Sequence, residues 1–159
     1  MNLGTTYLGK RLPHPLIAGS GPLTDDLGTV RELEDQGAAA LVLRSLYEEE
    51  ITGEQLSAFF ASESHGESFA EAVSYAPEPE AAFGPDEYLE HVRRVKAAVG
   101  IPVIASLNGA TPGGWTSHAR LIEQAGAHAL ELDLYHAASD AETGASDVER
   151  GMIDIVREV

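Results

Sequence analysis

The residues best suited to chemistry stand at the ends of short apolar runs. Gly19-Ser20-Gly21-Pro22 follows Leu16–Ala18, Arg44 follows Ala40–Leu43, and Asp133 lies near the end of Ala129–Leu134, with Glu131 two residues before it and His136 just beyond. An arginine is protonated at any working pH, so Arg44 offers a fixed positive charge. A histidine at a strand end can act as a base or a ligand. Small residues such as Gly19 and Gly21 let a bound molecule approach the backbone closely. Each has a plainer reading: a tight turn for Gly-Ser-Gly, a loop histidine for His136, and a structural ion pair for Arg44 with Glu131.

An internal repeat positions these groups. Ile101–Tyr135 reads as strand, polar loop, helix, strand, and Pro102-Val103-Ile104-Ala105-Ser106 matches Pro15-Leu16-Ile17-Ala18-Gly19. Arg31–Leu43 matches Arg120–Leu132, both copies passing from a helix through Gly-Ala into a strand. Gly126 falls where a left-handed residue ends a helix. Two strands joined by a helix with short loops should lie parallel and adjacent. Repeated units of this kind predict a parallel α/β fold, with the (β/α)8 barrel as its best-known form.

The repeat aligns Ala40, Val42 and Arg44 with Ala129, Glu131 and Asp133, and Leu41 and Leu43 with Leu130 and Leu132. Side chains alternate along a strand, so the leucines should face the helices and the other set the barrel interior. Arg44 and Asp133 then sit at the carboxyl end of the inward face, where barrel active sites lie, with Glu131 one layer deeper.

The remaining chain fits the same plan. Thr5–Leu12 suggests a hairpin around Gly9-Lys10 that could close the bottom of a barrel. Helix 1 is capped by Thr24 or Asp25 and runs to about Gln36. A long insertion, about 46–84, includes a helical piece over Gly53–Ala61; it reads as a lid or substrate loop, or as a surface insertion. Pro85-Asp86-Glu87 starts the next helix, with acids in its first turn. A last helix begins near Ala145. Four βα strands are found where a (β/α)8 barrel of about 250 residues has eight, so residues 1–159 read as the first half of one barrel domain.

Composition narrows the partners. The 159 residues carry 26 acidic against 10 basic side chains, a net charge of −16, which disfavours nucleic acid and anionic membranes. No lysine or arginine occurs between Arg44 and Arg93. There is no cysteine, and the six histidines show no metal-ligand spacing, so no metal site is expected. No signal peptide and no apolar run of about 20 residues is visible, which leaves a cytoplasmic protein as the expectation. A Schiff-base aldolase needs a strand-end lysine, but Lys10 and Lys96 lie in the hairpin and a helix.

TTYLGKRLPHPLIAGSGPLT, GAAALVLRSLYEEE, IPVIASLNG and GAHALELDLY, in this order and spacing, resemble the amino-terminal half of dihydroorotate dehydrogenase, most of all its bacterial dehydrogenase-like group. The resemblance implies a (β/α)8 barrel with FMN over the carboxyl ends of its strands, and hydride transfer between that flavin and an unsaturated small-molecule substrate. It implies that Ala18, Gly19, Ser20 and Gly21 run beside the flavin, and that Arg44 stands where the family usually has a lysine touching flavin and substrate. Ser45 matches the polar residue that follows, and Asn108 a flavin-side position. Asp133 stands where the family has an asparagine that binds flavin and orotate. The family's catalytic cysteine or serine is missing from Tyr135-His136-Ala137-Ala138, and His136 falls nearest the base position. Both departures count against dihydroorotate itself as substrate. The competing reading is a non-catalytic half-barrel that forms a homodimer or is complemented by the missing half, since a half-barrel leaves strand edges and apolar interior exposed.

Overall fold

A computed structural model describes residues 2–53, 84–135 and 143–159. The chain begins with an antiparallel hairpin, β1 (Thr5–Tyr7) and β2 (Lys10–Leu12). Leu8 and Gly9 both have positive φ, 47° and 72°, which turns the chain in two residues. Helix α1 (Leu27–Asp35) follows, then β3 (Leu41–Tyr47), α2 (Pro85–Ala98), β4 (Val103–Gly109), α3 (His118–Ala125), β5 (Ala129–Leu134) and α4 (Ala145–Glu158). The sheet is parallel and ordered β3-β4-β5, as expected for successive βα units.

The first expected strand, Leu16–Ala18, is reduced to a single parallel bridge from Ala18 to Leu41. Its backbone still runs beside β3: Ala18 N donates to Ala40 O, Val42 N to Ala18 O, and Ala39 N to Leu16 O. The ladder stops because Leu16 N, the next donor on the β3 side, turns instead to His14 Nδ1 at 3.3 Å. Gly19 and the 3-10 turn Pro22–Thr24 end it on the other side. The order 1-2-3-4 thus survives with a first strand too short to count as one.

The strands are longer than their apolar runs. β3 reaches Tyr47 rather than Leu43, and β4 reaches Gly109 rather than Ala105. Helix α1 starts two residues after Asp25, with Asp26 as its cap: Oδ1 accepts from Thr29 N at 2.8 Å. Trp115 lies in a short 3-10 turn, Gly114–Ser117, before α3.

The helices cover one face of the sheet. Leu41, Leu43 and Leu46 of β3, Val103, Ala105 and Leu107 of β4, and partly buried Leu130, Leu132 and Leu134 of β5 pack against Val30, Val92, Val95, Ile122 and Ile155 from the four helices. Each fully buried side chain of this size stabilises the fold by about 1.5–3 kcal/mol. At the amino ends of the strands Leu12 of the hairpin packs with Ala39, Ala40 and Ile17 in a small second cluster. Two long-range contacts fix strand entries there. Glu34 Oε1 accepts from Gly100 N and Ile101 N at 2.8 and 3.2 Å, and His128 Nδ1 accepts from Val103 N at 3.0 Å.

Among the described residues no helix is long and apolar enough to cross a membrane.

Candidate functional site at the carboxyl ends of the strands

The face of the sheet turned away from the helices changes character along its length. Val42, Ile104 and Ala129 stand in register and form an apolar layer. One step toward the carboxyl ends the register row is Ser45, Ser106 and Glu131, and the next is Tyr47, Asn108 and Asp133. Apolar residues have given way to hydroxyls, an amide and two carboxylates within two layers.

The rows exist because β3 contains a bulge. Val42 pairs with Ile104 and Ser45 with Ser106, so Leu43 and Arg44 together stand opposite Ala105. Strict alternation predicts Val42 and Arg44 on the inward face. The bulge instead puts Ser45 and Tyr47 in the inward rows and returns Leu46 to the helix side, where it is 1 % exposed. Arg44 turns to the loop after the first strand. Its amide N donates to Thr24 Oγ1 at 3.1 Å, and Nη1 lies 3.5 Å from Asp25 Oδ2. A parity change was visible in the sequence: the apolar positions go from 41 and 43 to 46.

Tyr88 of α2 fills the interruption from the helix side. Its hydroxyl accepts from Ser106 N at 3.0 Å and donates to Ser106 O at 3.1 Å. Burial pushes this phenol far above its usual range, so it keeps its proton and its donor role.

The serines form a chain. Ser106 Oγ donates to Glu131 Oε1 at 2.9 Å, which uses its one proton. Its 2.9 Å contact with Ser45 Oγ must then be donated by Ser45, and the 3.4 Å contact between Ser45 and Ser20 by Ser20. Glu131 thus sets the direction of three hydroxyls across four neighbouring segments. It is exposed and bonded by Ser106, not the buried carboxylate that its depth in the strand suggested. One row further, Asn108 Nδ2 donates to Asp133 Oδ2 at 2.8 Å, while Asn108 Oδ1 is buried with no hydrogen-bond partner.

Three consecutive glutamates brace the rim. Glu48 Oε2 accepts from the amides of Ala110 and Thr111 at 2.8 and 3.1 Å, and its other oxygen accepts from the Thr111 hydroxyl. Burial pushes the Glu48 carboxyl up, but the Thr111 hydroxyl and the two amides together hold it below its ordinary range. Glu49 accepts from Tyr135 Oη at 2.8 Å, and Glu50 from Tyr47 N at 2.9 Å. Each reaches a different element, so the chain leaving β3 is tied to the ends of β4 and β5.

Of the expected site residues, Ser20, Ser45, Asn108 and Asp133 come together on this face. Ala18, Gly19 and Gly21 run along its edge, and among the described residues a Cβ built on either glycine meets nothing within 4 Å. Arg44 pairs with Asp25 at the same end of the sheet. His136 and most of the 46–84 insertion lie outside the described residues. Ser106, Tyr88 and Glu48 were not singled out from sequence; Ser106 and Asn108 were legible as alternating polar positions in β4, whereas Glu48 and Tyr88 act across long sequence separations.

Parallel βα units with polar groups gathered at the strands' carboxyl ends define a mixed α/β fold, a class whose members bind ligands at that end. Comparison with known proteins makes the likeness particular. Over 133 residues, 84 % of this chain, it is 30 % identical to the catalytic subunit of dihydroorotate dehydrogenase B (NAD(+)) of Thermoplasma acidophilum, covering 41 % of that protein. Over 129 residues, 81 % of the chain, it is 29 % identical to the subunit of the same name from Methanocella arvoryzae, covering 40 %. The resemblance to dihydroorotate dehydrogenase carried by the motifs therefore extends over most of the chain. The chain spans about two fifths of the length of the curated relatives it matches. No protein-family model matches it.

Proposed function

We propose that residues 1–159 form the amino-terminal half of a (β/α)8 barrel domain in an FMN-dependent oxidoreductase that acts on a carbon–carbon bond of a small, unsaturated substrate. The observation that carries this reading is the pair of polar rows, Ser45-Ser106-Glu131 and Tyr47-Asn108-Asp133, at the carboxyl end of a parallel sheet whose sequence resembles a dehydrogenase.

The residues fit a flavin ring. Among the described residues nothing meets a Cβ on Gly19 or Gly21, so a flat ring can lie against the backbone there. Asn108 Oδ1 is a buried acceptor without a donor, suited to a ring N–H. Ser20 and Ser45 supply hydroxyls on the same side. Bound FMN supplies the hydride-accepting centre. Arg44 supplies a permanent positive charge near it, moderated by Asp25, and Asp133 an acceptor. His136 is proposed as the proton-transfer group, from its place just after β5. The flavin phosphate needs a site beyond these residues, which the other half of the barrel would bring.

β5 ends the described sheet, so in this reading its outer edge pairs with the next strand of the barrel, from the missing half or a second copy of the chain. The test is the cofactor of the intact protein. Protein purified from its own cells, denatured and analysed by absorbance and mass, is expected to release FMN, and the bound flavin to bleach under anaerobic reduction. Protein that releases none and takes up none contradicts the proposal.

A further inference from the structure

The Gly19–Gly21 segment is held mainly from its two ends. Before it, Ala18 O accepts from Val42 N at 2.8 Å. Within it, among the described residues, the side-chain tie is the long 3.4 Å contact of Ser20 with Ser45. After it, the bonds converge on Thr24, which is 0 % exposed. The Gly21 carbonyl accepts from Thr24 N at 3.1 Å and from Thr24 Oγ1 at 2.9 Å. That uses the one hydroxyl proton, so the same hydroxyl accepts from Arg44 N, the amide in the β3 bulge, at 3.1 Å. One side chain thus registers the glycine turn against the strand that carries Arg44. The Thr24 carbonyl lies 2.7 Å from His91 Nε2. A carbonyl can only accept, so this ring nitrogen carries the proton and donates it. His91 stands three residues after Tyr88 on the packed face of α2 and is 5 % exposed. Tyr88 braces Ser106 of β4, and His91 braces the turn on the other side of β3.

We propose that Thr24 and His91 are positioning residues for the ligand edge of this face, holding Gly19–Gly21 and the Arg44 segment in one fixed arrangement before a ligand arrives. The proposal rests on the reading of Gly19–Gly21 as the edge that meets the flavin, and it goes beyond that reading by naming what sets the edge. Glycine has more backbone freedom than any other residue, so two glycines around one serine would sample many shapes if left untied. Ordering them at the moment of binding would cost affinity, and ordering them beforehand removes that cost. Thr24 is fully buried, so it acts through Gly21 and Arg44 rather than by touching a ligand. It also places Asp25, whose Oδ2 lies 3.5 Å from Arg44 Nη1, so the turn sets the carboxylate beside the guanidinium as well. Both ties are out of water, and a solvent molecule does not take over a bond that is lost there.

The test uses the full-length protein and two readouts, amide hydrogen exchange without flavin and FMN affinity. His91→Leu removes the donor to Thr24 and leaves Thr24 and Arg44 themselves untouched. It should speed exchange at the amides of Thr24, Asp25 and Arg44 by at least about tenfold, while the amide of Val103, held by His128 at the other end of the sheet, exchanges as in wild type. Thr24→Val keeps the side-chain shape and removes the hydroxyl. Both variants should weaken FMN by about tenfold, and Thr24→Ser and His91→Gln, which keep a hydroxyl and an N–H donor, should stay within about threefold of wild type. His128→Gln, a comparable loss at the amino ends of the strands, should leave FMN affinity unchanged. Exchange in His91→Leu that is no faster at the turn, or that rises equally at Val103, overturns the proposal. So does FMN affinity that is unchanged in both disruptive variants or equally reduced in the two conservative ones. Wild type that binds no FMN contradicts the flavin reading instead, and the exchange rates, which need no flavin, still decide whether Thr24 and His91 fix the segment.

Discussion

The hydroxyl of Tyr88 sits between the amide and the carbonyl of a single residue, Ser106, accepting from one and donating to the other. It does so where the β3 bulge interrupts regular pairing, so one helix side chain serves the backbone that carries the polar row. Tyr88 is 2 % exposed, and water has no ready way to replace its hydroxyl. Tyr88→Phe should therefore cost about 1–3 kcal/mol, the penalty of leaving buried backbone groups unmade. Ser106→Ala should cost less, about 1 kcal/mol, because Glu131 is exposed and water takes its place. Urea midpoints for the two variants give the comparison, and equal losses would mean that the hydroxyl does not brace the bulge.

Gly109 and Trp115 set the end of β4. A Cβ on Gly109 would fall 2.6 Å from Trp115 Cζ2, and the indole is fully buried with Nε1 donating to Thr111 O at 2.6 Å. The ring cannot yield without losing that bond. Gly109→Ala should destabilise by about 1–3 kcal/mol, as overpacking does in a filled core. A thermal scan of the variant showing no loss would mean that the loop from Ala110 to Gly113 moves freely.

Acid should weaken the fold in two stages. Burial, and the nearby Lys96 and Lys10 charges, hold the His128 imidazole below its ordinary 6.5, as its role of accepting from Val103 N requires. Glu48 is held below its ordinary 4.5. Both groups bind protons more readily unfolded than folded, so stability rises with pH through each window. The contribution of His128 is full above about pH 6.5 and declines as pH falls through its folded value. That of Glu48 is full above about pH 4.5 and is lost below it. Urea unfolding at several pH values should show both slopes, with His128→Gln removing the upper one and Glu48→Gln the lower. An upper slope that persists in His128→Gln would reassign it to another group.

Much of this arrangement was readable from residues alone. The Gly-Ala junctions before β3 and β5, the alternation Val103-Ile104-Ala105-Ser106-Leu107-Asn108, and the hairpin around Gly9 each follow from local rules of backbone freedom and burial. Arg44 was misplaced because a bulge breaks the period of two, and a bulge is stabilised by partners far along the chain, here Thr24 and Tyr88. The glutamate braces escaped for the same reason: Glu48 and Thr111 are brought together only by the pairing of β3 with β4. The first strand was overestimated because the amide of Leu16 is taken by His14 two residues back, a local bond that an apolar run does not announce.

The measurement closest to the central claim is FMN affinity at the Gly19–Gly21 edge. Apo-protein prepared from the full-length protein is titrated with FMN, and quenching of flavin fluorescence is followed for wild type and for Gly19→Val. Among the described residues nothing lies within 4 Å of a Cβ at Gly19, so the variant should fold normally while its branched side chain enters the space assigned to the ring. Wild type should bind FMN at micromolar concentration or below, and Gly19→Val should lose affinity by at least about tenfold, on the order of 1.4 kcal/mol. Equal binding by both proteins would place the flavin elsewhere, and no binding by wild type would contradict a flavin at the carboxyl ends of these strands.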